Sequence, residues 1–292
     1  MEKKLLRSKV RSILLLVIML AGTACAPQAT PVVPAAASAS ASPTEAPMEA
    51  RTLTVLAAAS LTESFTELGT LFESQNPGIK VAFSFAGSQA LAQQLAQGAE
   101  ADVFASANQK YMIAAVEAHR VNQDNAKTFV MNRLVVIFPK DNPGGLKELK
   151  DLAKPGLKLD LADPSVPVGQ YTVSFLDRAI EDPGFYLQFK EEVLNNVVSY
   201  EDNVKAVVTK VSLGEADAGI VYVTDITADA ADKVGRLDIP DALNTIATYP
   251  IAPIFDSENS DLAQAFVNLV LSSEGQDVMA KYGFIPAVGI SQ

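Results

Sequence analysis

The sequence predicts an α/β protein whose folded part is built from mostly parallel sheets covered by helices. From Arg51 onward, short apolar runs rich in β-branched residues alternate with amphipathic runs of helical period, the pattern of parallel strands joined through helices. The seams between the two kinds of run carry Ser, Asn, Asp, Pro and Gly, residues that open helices. The folded segment is about 240 residues, large for one hydrophobic core and comfortable for two.

In chain order, Leu53–Ala58 is a short apolar strand, followed by a helix over Leu61–Gln75. Lys80–Phe85 alternates polar and apolar residues as a strand does, and Gln89–Gln97 follows with apolar residues three and four apart. The strand Asp102–Ser106 leads to a helix over Asn108–Ala118. Arg133–Pro139 is a continuous apolar strand, with a short helix over Leu146–Leu152 behind it. The strand Leu157–Ala162 runs into DPSVPVGQ, where Pro167, Val168 and Gly169 open the helix Gly169–Ile180. Pro suits a first helical turn, and Gly lets backbone approach closely. Phe185–Val193 is helical and Val197–Tyr200 is a strand. Asp202 or Asn203 then caps the helix Asn203–Leu213, which carries Val204. The strands Ala218–Val223 and Leu243–Pro250 and a long final helix, Asp261–Tyr282, complete the pattern.

Ser60 and Ser88 each stand where an apolar strand turns into a helix, and Glu63 has capping-box spacing from Ser60. Two readings are open. The hydroxyls cap their own helices, or several helix starts converge at the carboxyl ends of the strands and hold an anion through backbone N–H groups and helix dipoles.

The N-terminus reads as an export signal. Lys3, Lys4, Arg7, Lys9 and Arg11 precede the apolar run Ile13–Leu20, too short for an ordinary membrane span, and small residues lead to Cys25, the only cysteine. Residues 1–25 are therefore assigned as a signal peptide. Cys25 either accepts a lipid, as in a bacterial lipoprotein, or is an incidental thiol near the cleavage point; the preceding AGTA is a loose lipobox, with Gly22 where Leu is usual. Residues 26–50 are Ala/Pro/Ser-rich and carry no aromatic residue, the composition of a flexible tether.

Beyond the signal, 18 Lys/Arg face 33 Asp/Glu, a net charge of −15 without a basic cluster. That argues against nucleic acid and against anionic membrane surfaces, leaving a lipid anchor as the membrane contact. An anion site in so acidic a chain must be local, recessed and built from dipoles. Enzyme chemistry finds little purchase. His119 is the only histidine and has no serine at useful spacing, and a His/Cys metal cluster is excluded by count. Asp160 and Asp163 leave a carboxylate cation site or a solvated loop as the remaining alternatives there.

The segments AAASLTESF, FAGSQALAQQLAQGAEADVFASANQKYM, LADPSVPVGQYT, EDNVKAVVTKVSLGEADAGIVYVTD and YGFIPA resemble, in this order across residues 52–288, the periplasmic molybdate-binding proteins of ABC importers. Relatives that bind tungstate and other oxyanions share much of this pattern. The resemblance implies a two-lobed, type II periplasmic-binding-protein-like fold. Residues 51–132 plus 249–292 would form lobe I and residues 133–248 lobe II. It places the oxyanion ligands on Ser60, Ser88, Val168, Val204 and Tyr222, with Val168 where Ala is more common. It implies molybdate or tungstate as ligand, the metal being held only through its oxygens, and no cofactor or catalysis. It further implies a membrane permease as partner, a monomer, and a place in the cell envelope outside the cytoplasm. The alternatives are another tetrahedral oxyanion of the sulfate or phosphate kind, a ligand-sensing role, and, for Tyr222 alone, a core tyrosine at a strand end.

The chemistry of such a site is simple. A fully deprotonated tetrahedral dianion needs donors only: two hydroxyls with their N–H groups, two further N–H groups and a phenol. Each bond to a charged acceptor is worth about 1.5–3 kcal/mol net, and helix starts supply the positive potential without Lys or Arg. Selectivity then rests mainly on cavity size.

Overall fold

The computed structural model describes residues 51–287, which belong to one compact unit. The signal segment with Cys25, the tether 26–50 and the last five residues lie outside the described residues. The chain lays down β1 (Arg51–Ala58), β2 (Ile79–Ala86), β3 (Val103–Ala105) and β4 (Lys127–Asn132). It crosses at Arg133 to β5 (Leu134–Pro139), β6 (Leu159–Ala162), β7 (Val197–Glu201), β8 (Ala218–Tyr222) and β9 (Val234–Asp238). It then returns through β10 (Ala247–Pro253) and β11 (Ile285–Pro286). Two sheets result, ordered β11-β4-β10-β3-β1-β2 and β7-β6-β8-β5-β9.

The sheets are mixed rather than mostly parallel. β1 pairs in parallel with β2 and β3, and β6 with β7 and β8, while β4, β5, β9, β10 and β11 pair antiparallel. The cause is connectivity. The parallel strands are joined through helices, whereas the antiparallel ones lie where the chain crosses between the sheets. The apolar run KTFVMNRLVVIFP looks continuous in sequence, yet it contributes to both sheets, broken only at Arg133.

The helices α1 (Thr62–Gln75), α2 (Ser88–Ala96), α3 (Gln109–Glu117), α4 (Pro167–Glu181), α5 (Phe189–Asn195), α6 (Val204–Ser212), α7 (Ala228–Ala231), α8 (Ser260–Leu271) and α9 (Ser273–Lys281) cover these sheets. The expected helix at Leu146–Leu152 is a 3-10 turn over Leu149–Ala153. The single final helix is two. Ser272 adopts extended backbone and its Oγ accepts the Gly275 N–H, so a cap restarts the helix in mid-run. Leu243–Pro250 becomes a loop followed by β10.

Aromatic packing ties helices to the first sheet: Phe65 on α1 meets Phe129 of β4 at 5.8 Å and Phe266 of α8 at 6.0 Å between ring centres. All three are fully buried, and each such side chain contributes about 1.5–3 kcal/mol on burial. This core fixes the carboxyl ends of β1 and β2, where the first expected site residues lie.

Candidate functional site

Strand register sets the site. β1 and β2 pair with Ala58 opposite Ala86, so both end at one level and deliver Ser60 and Ser88 side by side, each two residues on. In the second sheet, β6 and β7 pair with Ala162 opposite Glu201, bringing the starts of α4 and α6 together. Tyr222 is the last residue of β8. The two groups meet around a small cavity, about 10 Å³ of space for the centre of a water-sized sphere, walled by Ser60, Ser88, Val168, Val204 and Tyr222, among others. All five expected ligand residues therefore share one cavity, each at most 4% exposed.

Local structure explains how each presents a donor. Ser60 does not cap α1, and the Glu63 capping box is absent. A 3-10 turn over Ala59–Leu61 is inserted before the helix, and Ser60 Oγ lies 3.0 Å from Tyr249 Oη. Ser88 is the first residue of α2, and its Oγ accepts the Ala107 N–H at 3.0 Å, which leaves its own proton for another acceptor. Val168 follows Pro167 in the first turn of α4, where N–H groups have no partner within the helix. Asn203 caps α6 by accepting the Ala206 N–H, leaving the Val204 N–H at the helix mouth free of intrahelical bonding. Tyr222 Oη is buried and without a hydrogen-bond partner.

Two glycines allow this convergence. A Cβ on Gly169 would lie 2.1 Å from the Asp163 carbonyl oxygen, and one on Gly87 would lie 2.4 Å from that of Asp202, across the cleft. Polar contacts join the lobes around the cavity. Gln89 Nε2 donates to Asp202 O at 2.7 Å, Asn108 Nδ2 to Gln170 Oε1 at 3.2 Å, and Tyr111 Oη to Ser165 O. Lys205 Nζ pairs with Glu63 at 2.8 Å.

No charged side chain is among the residues lining the cavity, so its positive potential comes from helix starts. Burial pushes the Tyr222 and Tyr249 phenols well above their ordinary range, and that of Tyr171 to about 12. These phenols stay protonated, so each keeps a proton to donate. Behind Tyr222, Asp225 accepts its N–H at 3.0 Å. Burial raises the Asp225 carboxyl to about 6 against the pull of Lys205, 3.6 Å away.

The remaining candidates lie elsewhere. His119 is exposed, in left-handed conformation (φ 57°) past the end of α3. Asp163 accepts the Ser165 N–H in a turn, and Asp160 is buried beside Glu201 and Lys210. Among the described residues no cluster of His, Cys, Asp and Glu suits a metal ion. Sequence reading missed Tyr249, whose hydroxyl reaches Ser60 from β10. In sequence it is one more aromatic residue in a strand, and only the antiparallel return of β10 beside β3 brings it to the site.

The model of the family described as bacterial extracellular solute-binding protein matches residues 53–285. The molybdate-binding protein ModA of Mycobacterium tuberculosis H37Rv is 39% identical over 236 residues, covering 80% of this chain and 85% of that protein. In fold the chain is similar to the Azotobacter vinelandii periplasmic molybdate-binding protein, with a TM-score of 0.68, 20% identity, and coverage of 80% of this chain and 98% of that one. It is also similar to the sulfate-binding protein SubI of Mycobacterium tuberculosis H37Rv, with a TM-score of 0.73, 19% identity, and coverage of 82% and 88%. The two-lobed architecture is thus that of type II periplasmic binding proteins, and the chain belongs to the bacterial extracellular solute-binding proteins.

Proposed function

We propose that this protein captures molybdate, and tungstate of the same charge and shape, in the cavity between its lobes and delivers it to an ABC-transporter permease. One observation carries the reading. The Tyr222 phenol is fully buried at a cavity walled by the starts of α2, α4 and α6 and by the 3-10 turn at Ser60, and it makes no close hydrogen bond within the protein, the Tyr249 phenol being its polar neighbour. A buried donor left unpaired costs about 1–3 kcal/mol, and an oxyanion supplies the acceptor it lacks. In this reading Ser60 and Ser88 donate hydroxyl and N–H, Val168 and Val204 their N–H groups, and Tyr222 its phenol. The 39% identical ModA supports molybdate as the anion. Similarity to a sulfate-binding fold makes sulfate the competitor to test.

Lobe I comprises residues 51–132 and 249–292, and lobe II residues 133–248; the first bound falls where the chain crosses from β4 to β5, and the second lies two residues inside β10, which begins at Ala247. Anion contacts to both lobes favour closure, which the permease reads. The protein works as a carrier without catalysis, as a monomer held to the envelope through a lipid on Cys25. Calorimetric titration of anion-free protein with molybdate, tungstate, sulfate and phosphate tests the anion assignment. Tight one-to-one binding of the first two alone is expected. Silence from molybdate and tungstate, or a preference for sulfate or phosphate, would overturn it.

A further inference from the structure

The Ser60 hydroxyl sits at the end of a hydrogen-bond chain that begins where the polypeptide crosses between the lobes. Asn132 closes β4, and its Oδ1 accepts the Arg133 N–H at 2.9 Å. That bond fixes the side-chain amide, so Nδ2 points the other way. There it donates to Thr224 Oγ1 of lobe II at 2.8 Å and, more weakly, to Tyr249 Oη at 3.4 Å. Tyr249 is fully buried, and its Oη lies 3.0 Å from Ser60 Oγ. A phenol oxygen that accepts from Asn132 has its proton free for Ser60. A serine oxygen that accepts from Tyr249 has its own proton free for the cavity. Bonds arranged head to tail polarise one another in the same sense.

We propose that Tyr249 is a positioning residue that locks the Ser60 hydroxyl as a donor into the anion cavity, with Asn132 setting the direction of the chain. Tyr249 need not touch the anion; it acts through Ser60. Ser88 has its own lock, the Ala107 N–H, so the two cavity hydroxyls are oriented independently. The inference rests on the oxyanion reading above.

The test is a pair of double-mutant cycles on the full chain, with molybdate affinity as readout. Tyr249→Phe removes one oxygen and keeps the ring, which packs on Phe284 and Tyr222. It should weaken molybdate binding roughly ten-fold, the range of a lost charged hydrogen bond. In a Ser60→Ala background the same change should cost nothing further. In a Ser88→Ala background it should cost its full ten-fold. A structural role would lower affinity equally in both backgrounds. Additivity with Ser60→Ala, or coupling of equal size to Ser88→Ala, would overturn the proposal. If Tyr249→Phe does not fold, Asn132→Asp replaces the donor with an acceptor that draws the Tyr249 proton away, and the same coupling to Ser60 alone is required. Wild-type protein that ignores molybdate would instead refute the oxyanion reading itself.

Discussion

The two walls of the cavity solve one problem differently. On the lobe I wall, both hydroxyls are held by partners of their own, Ser60 by Tyr249 and Ser88 by the Ala107 N–H. On the lobe II wall, the donors are first-turn N–H groups of α4 and α6 and a phenol with no partner at all. Lobe I is preorganised, whereas lobe II becomes satisfied only when an acceptor arrives. The buried acids differ in the same way. Asp102 in the first sheet accepts from the Thr54 N–H, Ser257 and Asn259, while Asp160 in the second is held only loosely, with Lys210 at 4.0 Å and Glu201 beside it. Under the proposed function, an anion would pair the unpaired donors of the α4 and α6 starts and Tyr222, the linkage a capture protein needs; Asp160 lies outside the cavity and is not part of it.

Ser88→Ala should break the comparison most severely. It removes a donor to the anion, lowering affinity by about 1.5–3 kcal/mol, and strands the buried Ala107 N–H, costing anion-free stability about 1–3 kcal/mol. Calorimetry and urea unfolding measure the two losses, and a mutant that loses neither would take Ser88 out of the site. Tyr222→Phe should lose affinity by about 1.5–3 kcal/mol as well, but leave anion-free stability unchanged or raised, because it deletes a buried group with nothing to bond. A parallel fall in stability would show that the phenol has a partner inside the protein.

Asp160 sharpens the contrast through pH. Burial, reinforced by Glu201, raises its carboxyl to about 7 in the folded protein from its ordinary 3.8. Between those values the folded state keeps a proton that the unfolded chain has released, so this group's contribution falls as pH rises through the window and stays lost above it. Asp160→Asn should gain on wild type in urea unfolding from about pH 4 to about pH 7, while a gap that does not change with pH would contradict the assignment. The smallest effect belongs to Lys205→Gln. Below about pH 6, where Asp225 is protonated, only the partly exposed pair of Lys205 with Glu63 across the cleft is lost, so the cost should be about 1 kcal/mol or less and shrink with salt. Above that pH the cost should grow, because the buried Asp225 carboxylate then loses the cation 3.6 Å away. A loss of several kcal/mol would make the pair a major clasp.

The α/β class and the convergence of the helix starts on one cavity were legible because both depend on local signals. Ser60, Ser88, Val168 and Val204 mark strand-to-helix seams, and parallel register then brings such seams to one edge. Of the two readings open for Ser60, the structure removes the helix cap. Glu63 has capping-box spacing, but it points across the cleft to Lys205, and Ser60 serves the cavity rather than its own helix. Antiparallel returns are not local. The resemblance drew a lobe bound at 132/133, but no local pattern in KTFVMNRLVVIFP shows that Arg133 separates strands of two sheets. Nothing near Tyr249 announces a partner 189 residues away. Helix α9 was hidden because Ser272 caps inside an apolar pattern that reads as continuous.

The most direct measurement is a crystal structure of the protein with molybdate, with the anion located by the anomalous scattering of molybdenum. One strong peak is expected in the interlobe cavity, with oxygens within hydrogen-bond distance of Ser60 Oγ, Ser88 Oγ, Tyr222 Oη and the Val168 and Val204 N–H groups. A peak elsewhere, or an anion in the cavity that leaves Tyr222 Oη unbonded, would contradict it.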